Sequence, residues 1–223
     1  MNCNVNTILE KSSKITANSL FYCFVKRMFD FVLALIAIII LMPLYLVISL
    51  FVFIGNPGPI VYGQIRVGKN GKLFKMWKFR SMYKNADEMI DKLSDEQKEQ
   101  YIKEFKIDND PRITKVGGFL RKTSLDELPQ LFNVLCNEMS LVGPRPLIES
   151  EIKKYYSRDY EILTSVKPGV TGYWQAYARN NATYQSGLRQ QMELYYVNHK
   201  SILFDVRILF KTVIAVLRKD GAQ

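Results

Sequence analysis

Residues 29–54, FDFVLALIAIIILMPLYLVISLFVFI, are the longest apolar stretch of the chain and decide its fold class. The only charge within it is Asp30, near its start. The stretch exceeds the ~20 apolar residues that an α-helix needs to cross a bilayer. Pro43 lies in its middle, where proline removes one helical hydrogen bond and clashes with the preceding turn. The stretch therefore predicts a membrane helix that is disturbed at Pro43.

Basic residues flank this stretch on both sides. Lys26 and Arg27 precede it, and a longer cluster follows it: Arg66, Lys69, Lys72, Lys75, Lys78 and Arg80. A spanning helix would carry one cluster out of the cytoplasm, whereas a helix broken at Met42–Pro43 that returns to the same face keeps both inside. Each half is then roughly 20 Å long, too short to cross a ~30 Å hydrocarbon core. This reasoning favours neither the spanning nor the re-entrant topology, because proline-kinked transmembrane helices are common.

A β-hairpin is predicted directly after the apolar stretch. The turn-rich residues 55–59, GNPGP, end the membrane element. The segments IVYGQIRVG and KLFKMWKFRSM then alternate apolar with polar or basic residues on either side of residues 69–72, KNGK. The cations of this hairpin suit three kinds of partner, namely anionic lipid head groups, a nucleic acid and the phosphate of a lipid substrate.

Residues 121–146, RKTSLDELPQLFNVLCNEMSLVGPRP, carry the candidate chemistry. Ser124 and Glu127 have capping-box spacing, and helically spaced leucines follow them, so Asp126 and Glu127 are expected in the first turn of a helix. Pro129 predicts a loosened turn. Acids in a first turn are often plain capping residues. Adjacent carboxylates beside Arg121 and ahead of a GPRP turn also suit a metal–phosphate site.

The remainder of the chain predicts mainly helices. Residues 86–105 are expected to form one or two surface helices, and 148–164 another helix. Residues 166–175, VKPGVTGYWQ, are too rich in glycine and proline for regular structure. Residues 202–217 form an amphipathic helix whose apolar face suits either the core or a membrane surface.

The motifs SLDELPQLFNVL, MSLVGPRP, KFRSM and PGVTG together resemble the bacterial sugar transferases, the monotopic polyprenyl-phosphate phosphoglycosyl transferases, and the resemblance covers about residues 26–218. It implies transfer of a sugar 1-phosphate from a UDP-sugar to undecaprenyl phosphate, with release of UMP, at the start of surface glycan synthesis such as exopolysaccharide or capsule. It also favours the re-entrant topology, although Met42 stands where family members often have serine.

The resemblance assigns roles to individual residues. Asp126 would be the nucleophile that forms an aspartyl phosphosugar, and Asp126 and Glu127 together would hold Mg²⁺. Glu193 keeps an acid where the family commonly has aspartate. The residues expected to contact substrate phosphate or nucleotide are Lys78, Arg80, Arg121, Pro144, Arg145, Pro146, Arg179 and Glu193.

The expected fold class is α+β and mainly helical, with a re-entrant membrane helix, a small β-hairpin and amphipathic interfacial helices around a cytoplasmic catalytic domain. The boundaries are 1–28 for an N-terminal lead-in, 29–54 for the membrane helix and 55–223 for the catalytic domain. The expected location is the bacterial inner membrane, with the catalytic domain on the cytoplasmic face against anionic phospholipid. A homo-oligomer and a noncatalytic scaffold of a glycan assembly complex remain open.

Composition limits the alternatives. The 223 residues carry a net charge of +10, which suits anionic lipid, phosphorylated substrates or nucleic acid. A nucleic-acid partner is not expected, because no recognisable module with interleaved exposed aromatics is present. Three cysteines without paired spacing and the single His199 predict reduced thiols and no zinc site.

Overall fold

The computed structural model describes residues 5–104, 107, 109–178 and 182–218. One long helix, α1 (Val5–Gly55), lies against a domain made of short helices and two small sheets. The part of α1 from Leu20 to Gly55 is long and apolar enough to cross a membrane. One face of α1 is buried against the domain at Ala34, Ile38, Tyr45, Ile48 and Val52. These positions recur at helical spacing, so the remaining apolar faces of α1 are left for another apolar environment.

Helix α1 continues through Pro43. The helical hydrogen-bond pattern thus runs through Met42–Pro43, and the predicted change of direction of the membrane helix at this point stays a prediction. A proline removes one backbone donor, and tertiary contacts at Ile38 and Tyr45, on either side of it, hold the two halves in one helix. Re-entry concerns the side of the membrane on which the two ends lie, and it stays a prediction.

The predicted hairpin is confirmed. Strands β1 (Val61–Val67) and β2 (Leu73–Phe79) are antiparallel, with Val61 opposite Phe79 and Val67 opposite Leu73. A 3₁₀ turn at Lys69–Gly71 joins them. Asn70 and Gly71 there have φ values of 55° and 77°, a left-handed conformation that asparagine and glycine adopt most readily.

Short elements follow the hairpin. The helices are α2 (Asp95–Glu104), α3 (Lys115–Thr123), α4 (Gln130–Leu135), α5 (Glu149–Tyr155), α6 (Tyr160–Thr164), α7 (Tyr173–Tyr177), α8 (Leu188–His199) and α9 (Ile202–Arg218). Strands β3 (Ser140–Val142) and β4 (Gly169–Thr171) form a second, parallel pair. Within 86–105 the helix is confined to α2, with turns and a 3₁₀ turn (Ile90–Lys92) before it.

Two predictions for the segment after residue 147 need correction. The single helix expected over 148–164 is divided into α5 and α6. Residues 169–171, expected to be irregular, form β4, because the backbone of Ser140–Val142 lies beside them and accepts a strand partner. Gly143 permits this approach, since a Cβ there would lie 2.5 Å from the Lys167 carbonyl oxygen.

The main core joins α1 to β2, α4, β3, α8 and α9. Helix α9 is amphipathic, as predicted: Ile208 is fully buried in this core. Other apolar side chains of α9 are exposed, namely Leu203, Val206, Phe210 and Val213. One face of the helix therefore packs into the core, and another face exposes an apolar stripe.

Candidate active site

The adjacent acids Asp126 and Glu127 lie in a 3₁₀ turn (Leu125–Glu127) between α3 and α4. Ser124 ends α3 in a left-handed conformation, with φ of 57°, and makes no capping hydrogen bond with its side chain. The predicted Ser124–Glu127 capping box is therefore wrong, and the α-helix begins only at Gln130, after Pro129. A left-handed residue at the start directs the serine hydroxyl away from the amides of the next turn.

Lys78 binds both acids. Its Nζ lies 2.7 Å from Oε1 of Glu127 and 3.7 Å from Oδ2 of Asp126. Strand β2 presents Lys78 on the face that packs toward this turn. Asp126 is only 6 % exposed, whereas the side chain of Glu127 is 29 % exposed. The pair thus combines one nearly buried carboxylate with one that solvent reaches.

Burial raises the pKa of Asp126 above its usual range, and the charge of Glu127 raises it further, while Lys78 and Arg121 lower it. The ionised carboxylate is therefore poorly solvated and depends on those cations. Carboxylates held in this way are commonly nucleophiles, bases or metal ligands, although structural ion pairs shift pKa values too.

Arg121 supplies positive charge behind Asp126. Its Nε donates a hydrogen bond to Oγ of Ser81, 2.9 Å away at the end of the hairpin. Burial lowers the pKa of Arg121, and the negative charge of Asp126 opposes that shift. Sequence reasoning missed Ser81, since only the fold brings the KFRSM segment beside α3.

Arg145 lies in the GPRP turn that follows β3. Burial lowers its pKa, but the carboxylates of Glu127, Glu151 and Glu193 raise it by more, so the net shift is upward. Pro144 and Arg145 line a small recess between this turn and the end of β1, and Pro146 is buried directly after them. The Glu127 carboxylate therefore lies within electrostatic reach of Arg145.

Arg66, which the sequence analysis treated only as part of the basic flank, pairs with Glu151 and lies within electrostatic reach of Arg145. Its Nη1 lies 3.1 Å from Oε2 of Glu151, and burial together with the charge of Arg145 lowers its pKa. The bridge between Val67 and Leu147 brings the end of β1 to the GPRP turn. No local signal pairs these segments, because the bridge joins distant parts of the chain.

Arg80, predicted to contact a phosphate, is placed elsewhere. It is 9 % exposed, and its Nη2 donates to the carbonyl oxygen of Asn56, just beyond the end of α1. Burial lowers its pKa. The described contacts of Arg80 thus tie the hairpin to α1 and do not bring it to the carboxylate pair.

Glu193, also predicted to contact substrate, is a buried structural acid. It is 1 % exposed and accepts hydrogen bonds from the Tyr156 hydroxyl at 2.7 Å, from Nε1 of Trp174 at 2.8 Å and from the backbone N–H of Arg145 at 3.3 Å. It therefore supports the Arg145 backbone, and a contact of Glu193 with substrate stays a prediction. Arg179 lies outside the described residues.

The residues present suit magnesium in one specific manner. Within the described part of the chain, no three or more His, Cys, Asp or Glu side chains cluster at metal-binding spacing. Mg²⁺ commonly binds one or two carboxylates and completes its shell with water and substrate phosphates. Asp126 and Glu127 provide such a pair, so a magnesium ion would require the substrate to complete its coordination.

The sequence model of the family described as "Bacterial sugar transferase" matches residues 21–219. The chain is 46% identical over 202 residues to the undecaprenyl-phosphate galactose phosphotransferase of Salmonella typhimurium, covering 89% of this chain and 42% of that protein. It is 42% identical over 200 residues to the exopolysaccharide production protein ExoY of Sinorhizobium fredii, covering 88% and 87%. It is 39% identical over 194 residues to the UDP-glucose:undecaprenyl-phosphate glucose-1-phosphate transferase of Escherichia coli, covering 84% and 39%. The chain thus spans about two fifths of the length of the first and third relatives and most of the length of the second.

Proposed function

The chain belongs to the bacterial sugar transferase family, and on this basis we propose that it transfers a sugar 1-phosphate from a UDP-sugar to undecaprenyl phosphate and releases UMP. The observation that carries the proposal is the contact of Lys78 with the adjacent acids Asp126 and Glu127, within electrostatic reach of Arg121 and Arg145. Cations on several sides of a poorly solvated carboxylate are what an attack on a diphosphate requires, because they offset the repulsion between anions.

The reaction proceeds in two displacements. A carboxylate oxygen of Asp126 attacks the sugar-bearing phosphorus, the bond from that phosphorus to the bridging oxygen breaks, and UMP leaves with the electron pair. An oxygen of undecaprenyl phosphate then attacks the same phosphorus and releases the Asp126 carboxylate. A covalent intermediate divides one difficult displacement between two anions into two easier ones.

The other residues hold and neutralise the substrate. Lys78 keeps Asp126 ionised and oriented, and it gives up part of its contact with Glu127 when phosphate arrives. Arg145 and Arg121 take up phosphate charge, Arg145 with the bidentate geometry that guanidinium offers. Magnesium held by Asp126 and Glu127 would supply electrophilic stabilisation of the phosphate oxygens.

We place the protein at the cytoplasmic face of the bacterial inner membrane, with both ends of its apolar helix on that face. Near one end of the apolar stretch, Lys26 donates to the carbonyl oxygen of Val142; near the other, Asn56 accepts from Arg80. Both bonds are made to the same domain. This supports a topology in which the two ends of the helix lie on the same side of the membrane. Undecaprenyl phosphate and a soluble UDP-sugar meet at such an interface.

A release assay tests the activity. The purified full chain in vesicles containing undecaprenyl phosphate is given UDP-galactose, UDP-glucose or UDP-N-acetylgalactosamine with Mg²⁺, and the released nucleotide is identified. We expect UMP from at least one donor, dependent on undecaprenyl phosphate. Release of UDP instead would indicate transfer of the sugar alone and would exclude the proposal.

Thiol labelling tests the topology. In a chain freed of Cys3, Cys23 and Cys136, single cysteines placed at residues 20 and 70 should both be shielded from an impermeant reagent outside intact cells and should both react in inverted vesicles. Labelling of residue 20 from outside would establish a spanning helix instead.

A further inference from the structure

Asp30 is the single charge within the apolar stretch, and the activity proposed above gives it no role. It is 3 % exposed, and the structure turns it toward the domain. Its Oδ1 accepts a hydrogen bond from the backbone N–H of Leu141 at 3.1 Å and another from Nζ of Lys26 at 3.3 Å. The Asp30 carboxylate thus bonds to the backbone of strand β3, which is far away in sequence.

Lys26 completes the same contact. Its Nζ donates to the carbonyl oxygen of Val142 at 3.2 Å and lies 2.9 Å from Oδ2 of Asp205, which is fully buried. The hydroxyl of Tyr196 lies 3.0 Å from the Val142 carbonyl oxygen and 2.7 Å from Oδ1 of Asp205, so its single proton is shared between these two acceptors. Two side chains of α1 and one of α8 therefore bond to the Leu141 N–H and the Val142 carbonyl oxygen of β3.

Strand β3 depends on these side chains because it is short and pairs with one other strand. It comprises Ser140–Val142, and β4 is equally short. The Leu141 N–H is bonded by Asp30 of α1. The Val142 carbonyl oxygen is bonded by side chains of α1 and α8 and also by the Ser140 hydroxyl of β3 itself, at 2.9 Å. A buried backbone group without such a partner costs about 1–3 kcal/mol. Gly143 and Pro144 then lead directly to Arg145.

We propose that Asp30 and Lys26 are positioning residues for Arg145: helix α1 supplies the missing edge of β3 and thereby fixes the GPRP turn opposite Asp126 and Glu127. The role of Arg145 as a phosphate-binding group rests on the proposed function, whereas the hold of α1 on β3 does not. The membrane helix is then a part of the active site and not only its anchor.

Two measurements on the full chain in vesicles test this. The first is amide hydrogen exchange of a peptide covering residues 139–147. The second is the separate determination of kcat and KM for the UDP-sugar that turns over. The variants are Asp30→Ala, Asp30→Asn and Lys26→Met. The control is Ile48→Ala, which weakens the packing of the same helix at its other end, where Ile48 contacts the cluster containing Phe79 and Leu120.

In Asp30→Ala we expect the 139–147 peptide to exchange about tenfold faster, since a charged hydrogen bond is lost. Asp30→Asn keeps an acceptor oxygen for Leu141 and should retain most of the protection. In Lys26→Met the exchange rate of this peptide should lie between the rates in Asp30→Ala and Asp30→Asn, because Tyr196 still donates to Val142. Ile48→Ala should leave this peptide unchanged.

The kinetic result separates positioning from simple destabilisation. A misplaced Arg145 raises KM for the UDP-sugar about tenfold with a smaller change in kcat, whereas loss of folded protein lowers the apparent kcat at constant KM. Unchanged exchange in both Asp30 variants, or equal effects of Asp30→Ala and Ile48→Ala on the 139–147 peptide, would overturn the inference. If the wild type releases no UMP but the exchange pattern holds, the proposed function fails while the hold of α1 on β3 stands.

Discussion

Asp126 and Glu193 are two buried acids whose pKa values burial raises, and they differ in how their partners are held. Glu193 accepts from Tyr156, Trp174 and the Arg145 backbone, all of them fixed by the core. Asp126 instead faces the ammonium group of Lys78, which is 3.7 Å away and bonds more closely to Glu127. Lys78 is a long, flexible side chain that is 23 % exposed.

Under the proposed function, this difference separates the reactive acid from the structural one. Glu193 accepts from two core side chains and one backbone N–H, so its contacts stabilise the fold. Lys78 is shared between Asp126 and Glu127, so under the proposed function it can exchange its contact with Glu127 for a substrate phosphate while it stays beside Asp126. Burial and a shifted pKa are common to both acids and do not distinguish a catalytic group from a structural one.

The largest expected effect is that of Asp126→Asn. An amide of the same shape is a poor nucleophile, so turnover should fall by about 10³-fold or more, and no sugar phosphate should become covalently attached when acceptor lipid is absent. The native state disfavours the ionised form of Asp126 at neutral pH, so the melting temperature should stay level or rise. Mass spectrometry and thermal unfolding measure these outcomes, and near wild-type turnover would remove Asp126 from the nucleophile role.

Glu193→Ala should lower the stability of the fold, whereas Asp126→Asn lowers turnover. It leaves the Trp174 N–H, the Tyr156 hydroxyl and the Arg145 N–H without their acceptor, at a cost of about 3 kcal/mol in the free energy of unfolding. Chemical denaturation measures that loss. Full stability in this variant would show that Glu193 is not the structural acid described above.

Lys78→Met tests the contribution of Lys78 to the pKa of Asp126. Lys78 lowers the pKa of Asp126, so its removal should raise that pKa further and reduce the ionised fraction at a given pH. The acid limb of the profile of kcat/KM against pH should therefore move to higher pH, with an activity loss of about tenfold near neutrality that grows as the pH falls. Lys75→Met, on the same strand with its ammonium group over the Trp77 ring, is the matched control. Parallel profiles for Lys78→Met and wild type would contradict the assignment.

The smallest effect should come from Glu193→Gln. The amide oxygen can replace Oε1 and accept from Trp174 and Arg145, while the amide nitrogen donates to the Tyr156 hydroxyl. We expect stability within about 1 kcal/mol of wild type and an unchanged magnesium dependence. A large change in the magnesium dependence would place Glu193 at the substrate after all.

Several features follow from the sequence alone because they depend on neighbouring residues. The hairpin is set by two alternating segments around a turn, and α9 by its apolar period. The adjacency of Asp126 and Glu127 is a property of the chain itself. The motifs around them also identified the family before any geometry was known.

The tertiary structure decided what each remaining residue faces. The sequence alone does not show that Glu193 accepts from the indole of Trp174 or that Arg80 bonds to Asn56, just beyond α1. Strand β4 exists because β3 lies beside it, and Pro43 stays within a helix that is docked on both sides of it. Periodicity and capping express forces between residues a few positions apart, whereas these outcomes depend on contacts between segments that only the folded chain brings together.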